Sequence, residues 1–176
     1  MDAAGHGERR LPDLRERIDA PREQALRTML ELAERTAADV PAVVRALVHE
    51  GAADPGRVAV VGISMGGYVV YRAVVVEPSI RAAVAILGSP EWPEGDSPHH
   101  HREAFHRVAL LSVTAENDEN VPPAGARALH RALAADAPGS DRHRYVELPG
   151  AQHLMSEDDW RTTLDETLRW LALHDR

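Results

Sequence analysis

Between residues 22 and 50 apolar side chains recur at spacings of three and four. Leu26, Met29, Leu30, Ala33, Ala37, Val40, Val44 and Leu47 form one stripe, the signature of a helix that buries one face. Pro41 falls inside the stripe, with Asp39 placed to cap a new start, so the pattern predicts two consecutive helices or one kinked helix, ended by Gly51. The period then changes. Val58 to Ile63 is a short, continuously apolar, β-branched run that predicts a strand covered on both faces. Ala82 to Leu87 and Val108 to Thr114 repeat that pattern, and Tyr145 to Leu148 gives a shorter strand. Helical patterns fill 65–77, 123–135 and 157–173. The last is predicted to turn Trp160, Leu164, Leu168 and Leu171 inward, behind a Ser156 cap followed by Glu157, Asp158 and Asp159.

Strands that alternate with helices make βαβ units. The expected fold is therefore α/β: three layers, α/β/α, around a mostly parallel sheet of about four strands, in a single domain of 176 residues. In such sheets the chemistry lies at the C-terminal ends of the strands.

Composition narrows the function. Acidic residues outnumber basic ones by 28 to 20, a formal charge of −8, which disfavours nucleic acid or an anionic membrane as partner, since either requires a dense Lys/Arg surface. Without cysteine there is no disulfide framework, thiolate metal site or Cys nucleophile. The first twenty residues are strongly charged and hold no apolar signal core, and no apolar run reaches membrane-spanning length; the expectation is a soluble, cytoplasmic protein.

The first predicted strand runs into Gly62-Ile63-Ser64-Met65-Gly66-Gly67. An accidental G-x-S-x-G has roughly a 5% chance in a chain of this size. This one lies at a strand-to-helix junction, where a sharp turn lifts the serine hydroxyl out of the backbone and a Cβ at either flanking glycine is expected to collide. The Met65 amide, opening the next helix, then faces the place where an oxyanion forms.

A serine nucleophile needs a base, and the base an orienting carboxylate. The third predicted strand is followed by Glu116-Asn117-Asp118-Glu119-Asn120-Val121-Pro122, and the fourth by Gly150-Ala151-Gln152-His153. Both segments fall on the same sheet edge as Ser64, in the chain order Ser, acid, His used by α/β-hydrolases. Asp118, with Glu116 and Glu119 as competitors, is the candidate acid, and His153 the candidate base.

On GISMGG at 62–67, NDENVPP at 117–123 and GAQH at 150–153, the chain resembles the α/β-hydrolase superfamily, in particular small bacterial esterases related to dienelactone hydrolase and to prolyl-oligopeptidase catalytic domains. The resemblance implies Ser64 as nucleophile, Asp118 as acid, supported by the Val121-Pro122 that follows it, His153 as base and the Met65 amide as oxyanion donor. It implies a small-molecule ester or acyl substrate, with no metal or organic cofactor. Peptide cleavage and acyl transfer use the same three groups and stay open, as does a weakly active or inactive hydrolase fragment.

The resemblance covers only the later part of the family fold. Gly5-His6-Gly7-Glu8-Arg9 is similar to the loop after the family's fourth strand, which leaves the preceding strands absent; alternatively Gly5-His6-Gly7 is the oxyanion loop itself. The first reading implies an apolar strand edge at Val58 to Ile63, available for pairing with another copy of the chain, and the loss of one oxyanion donor. Residues 89–107 correspond to a variable cap, a possible roof for the site in which Trp92 or Phe105 meets an acyl chain or simply packs. The histidines His99, His100, His101 and His106 within it are expected on a solvated loop.

Overall fold

The computed structural model describes residues 2–174. Four strands, β1 (Val58–Ile63), β2 (Ile80–Ile86), β3 (Ala109–Ala115) and β4 (His143–Leu148), pair in parallel in the order β1-β2-β3-β4. Six α-helices accompany them: α1 (Leu14–Ile18), α2 (Arg22–His49), α3 (Met65–Val76), α4 (Arg102–Phe105), α5 (Ala124–Asp136) and α6 (Glu157–His174). Each successive strand starts beside its predecessor after a helical crossover, so the C-terminal ends of all four lie along one rim.

Side-chain alternation divides the core by face. Val58, Val60, Ala83, Ala85 and Leu110 pack with α3 and α5 on one side. Val84, Ile86, Leu111, Val113 and Leu148 pack with α6 on the other, completing three layers. The α2 helix lies alongside α3, joined through Leu30, Ala33 and Ala37 against Tyr68 and Val69. The small Ala33 and Ala37 side chains permit close approach, and Arg72 of α3 pairs with Glu34 of α2 at 2.8 Å.

The structure decides one open expectation and corrects three. First, of the two forms expected, α2 takes the single one, a helix of 28 residues with Pro41 inside it. The proline removes one hydrogen bond, a cost of about 3 kcal/mol, and the helix continues through it with its preceding stripe packed on α3. Secondly, β1 is not covered on both faces: Val61 and Ile63 are 46% and 48% exposed. The α6 helix packs mainly over β2 and β3.

Thirdly, the inward face of α6 keeps the expected Trp160 and Leu171 but runs between them through Thr163, Thr167 and Trp170, while Leu164 and Leu168 are 54% and 65% exposed. The threonines are buried at little cost because Thr167 Oγ1 donates to the Thr163 carbonyl at 2.8 Å. Trp170 Nε1 donates to the Ala109 carbonyl on β3 at 3.2 Å. The start of α6 is as expected, a reciprocal cap in which the Ser156 hydroxyl accepts from the Asp159 amide and the Asp159 carboxylate accepts from the Ser156 amide.

Fourthly, residues 98–105 form a 3-10 turn running into α4, not a solvated loop. Phe105 is fully buried against Tyr71 and Leu133, and Trp92 packs with Tyr68 and Val121. The histidines find local partners: His99 with Ser97, His101 with Asp96 and His106 with Asp136. Among the described residues no helix is long and apolar enough to cross a membrane.

Candidate active site

The strand β1 ends at Ile63 and α3 begins at Met65, leaving Ser64 alone to make the turn. Its φ of 54° lies in the left-handed region, a strained conformation for a residue with a side chain. Two contacts hold it there. The Ser64 amide donates to the Ile86 carbonyl at the end of β2, 2.9 Å away, and the Ser64 carbonyl accepts from Gly67 at 2.8 Å. Close backbone approach explains the glycines, with one change from expectation. A Cβ at Gly62 would stand 2.0 Å from the Gly66 carbonyl oxygen, and one at Gly67 would stand 2.7 Å from that of Ile86. A Cβ at Gly66 would meet nothing within 4 Å, so that position is not sterically closed. Gly88, unremarked in the sequence, matters for the same reason, since its Cβ would lie 2.5 Å from the backbone of Gly67.

The structure brings the three predicted side chains together. Ser64 Oγ lies 3.0 Å from His153 Nε2, and His153 Nδ1 lies 2.7 Å from Asp118 Oδ2. The other Asp118 oxygen accepts from the amides of Asn120 and Val121 at 2.9 and 2.8 Å. A carboxylate only accepts, so the hydrogen-bond chain puts the imidazole proton on Nδ1 and leaves the Nε2 lone pair facing the serine hydroxyl. Asp118 is buried, while His153 and Ser64 keep partial access to solvent. Neighbouring Tyr68 is kept protonated: burial first, then the Asp118 charge, pushes its phenol up to about 12.

Of the competing carboxylates, that of Glu116 has another partner, its Oε2 accepting from the Gly150 amide at 2.7 Å. The Glu119 carboxylate makes no contact with His153 among the hydrogen bonds of the site, and the Glu119 backbone carbonyl accepts from Arg22. At the opening of α3 the Met65 amide belongs to the first turn, whose N–H groups have no partner within the helix.

Two clefts meet at His153. One, of about 670 Å³, is polar and lined by Glu116, Asn117, Glu119, Gln152 and Leu154. The other, of about 600 Å³, borders Ser64 and Met65 and is walled by Ile18, Leu26, Met29 and Val121, with His6 and Arg22 among its polar groups. No residue of 89–107 lines either one, so the expected roof is not there. The loop Gly5–Gly7 does border the second cleft through His6, but the His6 amide is engaged by the Ala3 carbonyl at 3.0 Å. Leu26 and Met29 were legible in the sequence only as part of a core stripe.

A parallel sheet with a strained serine between its first strand and the following helix defines an α/β-hydrolase fold. More narrowly, the chain belongs to the dienelactone hydrolase family, whose model matches residues 11–167. Comparison with curated proteins found no match. Among solved structures, a thermostable esterase is 28% identical with a TM-score of 0.63, covering 79% of this chain and 36% of its own. A puromycin-hydrolyzing peptidase of Mycobacterium tuberculosis is 20% identical with a TM-score of 0.69, covering 86% of this chain and 27% of its own. Esterase PE8 is 20% identical with a TM-score of 0.60, covering 83% and 65% respectively. This chain therefore spans about a third of the first of these structures and about a quarter of the second.

Proposed function

We propose that the protein is a serine hydrolase of carboxylic esters, with Ser64 as nucleophile, His153 as general base and acid, and Asp118 as the group that orients the imidazole. The reading is carried by one observation, the unbroken hydrogen-bond chain from Ser64 Oγ through both ring nitrogens of His153 to a buried carboxylate. As the Ser64 oxygen forms its bond to the acyl carbon, its proton passes to His153 Nε2. The carbonyl oxygen becomes an oxyanion facing the Met65 amide. Collapse of this intermediate breaks the ester C–O bond, and the alcohol leaves with the proton from Nε2. A water then gives a proton to the same nitrogen as its oxygen bonds to the acyl carbon; collapse breaks the Ser64 Oγ–acyl bond, the Ser64 oxygen takes the proton back from Nε2, and the acid is released. Family membership and the esterase fold of the solved neighbours support ester cleavage as the reaction class.

A fluorophosphonate reagent tests the assignment. Covalent labelling at Ser64 that is lost in Ser64→Ala is the expected result. Equal labelling of that variant would refute Ser64 as the nucleophile.

A further inference from the structure

Resting on this hydrolase reading, we propose that the cleft beside Ser64 is an acyl subsite for an unbranched apolar chain, with Leu26 and Met29 setting the chain length it prefers. The direction of the bound ester follows from the placement of the reacting groups. The acyl carbon must meet Ser64 Oγ with its oxygen toward the Met65 amide, and only the 600 Å³ cleft touches both residues. The departing oxygen must lie within reach of His153 Nε2, where the two clefts meet and the polar one leads away from Ser64. The acyl substituent therefore runs along the apolar cleft and the alcohol leaves over the polar one.

The chemistry of the walls specifies what the acyl substituent is. On α2, Leu30, Ala33 and Ala37 are buried in the core, but one turn nearer the N-terminus the same stripe emerges as Leu26 and Met29. Together with Met65 they are only partly covered by the protein, so apolar surface remains for a ligand to desolvate. Two of the polar groups beside it are already engaged. His6 Nδ1 donates to the Ala4 carbonyl at 3.0 Å, and the Arg22 guanidinium donates to the Glu119 carbonyl. Asn120 borders the cleft as well, but its wall is mainly apolar, and Ile18, Leu26, Met29 and Met65 reward each methylene.

Hydrolysis of p-nitrophenyl acetate, butanoate, hexanoate and octanoate by the full chain tests the proposal. Expected is a rise in kcat/KM along the series of up to roughly fourfold per added methylene, ending where the cleft is full. Met29→Trp, which fills the cleft, should lower the ratio of octanoate to acetate kcat/KM by roughly tenfold or more. Leu26→Ala, which lengthens it, should move the optimum to a longer chain, and decides the matter if the tryptophan variant does not fold. A flat or falling series in the unaltered protein, or variants that scale all four esters equally, would overturn the acyl subsite and leave the hydrolase assignment standing. Failure to hydrolyse any ester, acetate included, together with failure of the phosphonate to label Ser64, would overturn both.

Discussion

The carboxylate of Glu116 accepts a hydrogen bond from the backbone amide of Gly150 at 2.7 Å, tying the loop that bears Asp118 to the loop that bears His153. Two main-chain bonds run beside it, from the Glu116 amide to the Leu148 carbonyl and from the Asn117 amide to the Ala151 carbonyl. The loops themselves thus set Asp118 and His153 relative to each other. Glu116→Ala is expected to lower kcat by up to about tenfold with KM little changed, as a looser base–acid pair reduces the productive fraction. Glu116→Gln keeps an acceptor and should restore most of the rate. Steady-state kinetics of the two variants check this, and a rise in KM at constant kcat would contradict it.

Asp118→Asn offers the imidazole a carboxamide in place of a carboxylate. An amide N–H facing Nδ1 selects the wrong tautomer, and the imidazolium that develops in the transition state loses its counter-charge. A fall in kcat of about 10⁴ is expected with the fold preserved, measured by ester hydrolysis alongside circular dichroism.

The two glycines of the serine turn should respond differently to substitution. Gly62→Ala drives a methyl group into the Gly66 carbonyl and should cost about 3 kcal/mol, the upper range for overpacking. Gly66→Ala meets open space and should change stability by no more than about 1 kcal/mol. Urea denaturation of both variants compares them.

Beneath β3, the hydroxyl of Ser112 bonds with Tyr71 at 2.7 Å and with His130 Nε2 at 2.8 Å. Burial, with a smaller push from His143, lowers the His130 pKa to about 3. The unfolded chain takes up this proton near pH 6.5 and the folded one only near 3, so stability contributed by neutral His130 is present above 6.5 and is lost as the pH falls through that window. The loss amounts to about 2 kcal/mol between pH 7 and 5. In His130→Gln the stability difference between those two pH values should shrink by that amount, as read from urea midpoints.

Val61 and Ile63 present exposed apolar side chains on β1, the strand at one end of the sheet. An uncovered apolar edge is a template for strand pairing. Light scattering of the isolated chain is expected to show association that grows with concentration and is diminished by Val61→Lys. A protein that stays monomeric at high concentration would count against pairing at this edge.

Local pattern alone determined much of this molecule. β-Branched runs bounded by turn residues mark β1 to β3, and the G-x-S-x-G at a strand-to-helix junction singles out Ser64, because these signals are written in adjacent residues. Asp118 and His153 are legible because each follows a strand, and parallel strands deliver their C-terminal ends to one rim. Tertiary structure decided what depends on neighbours distant in sequence. The run Val58 to Ile63 reads as doubly buried, yet its exposure follows from where α6 lies. Leu164 and Leu168 read as core, yet Thr163 and Thr167 take that place because their hydroxyls find partners. Leu26 and Met29 read as interior packing, yet they emerge at Ser64 where α2 outruns α3. Periodicity shows that a helix or strand has an apolar face; only the packed chain shows whether protein, solvent or a substrate covers it.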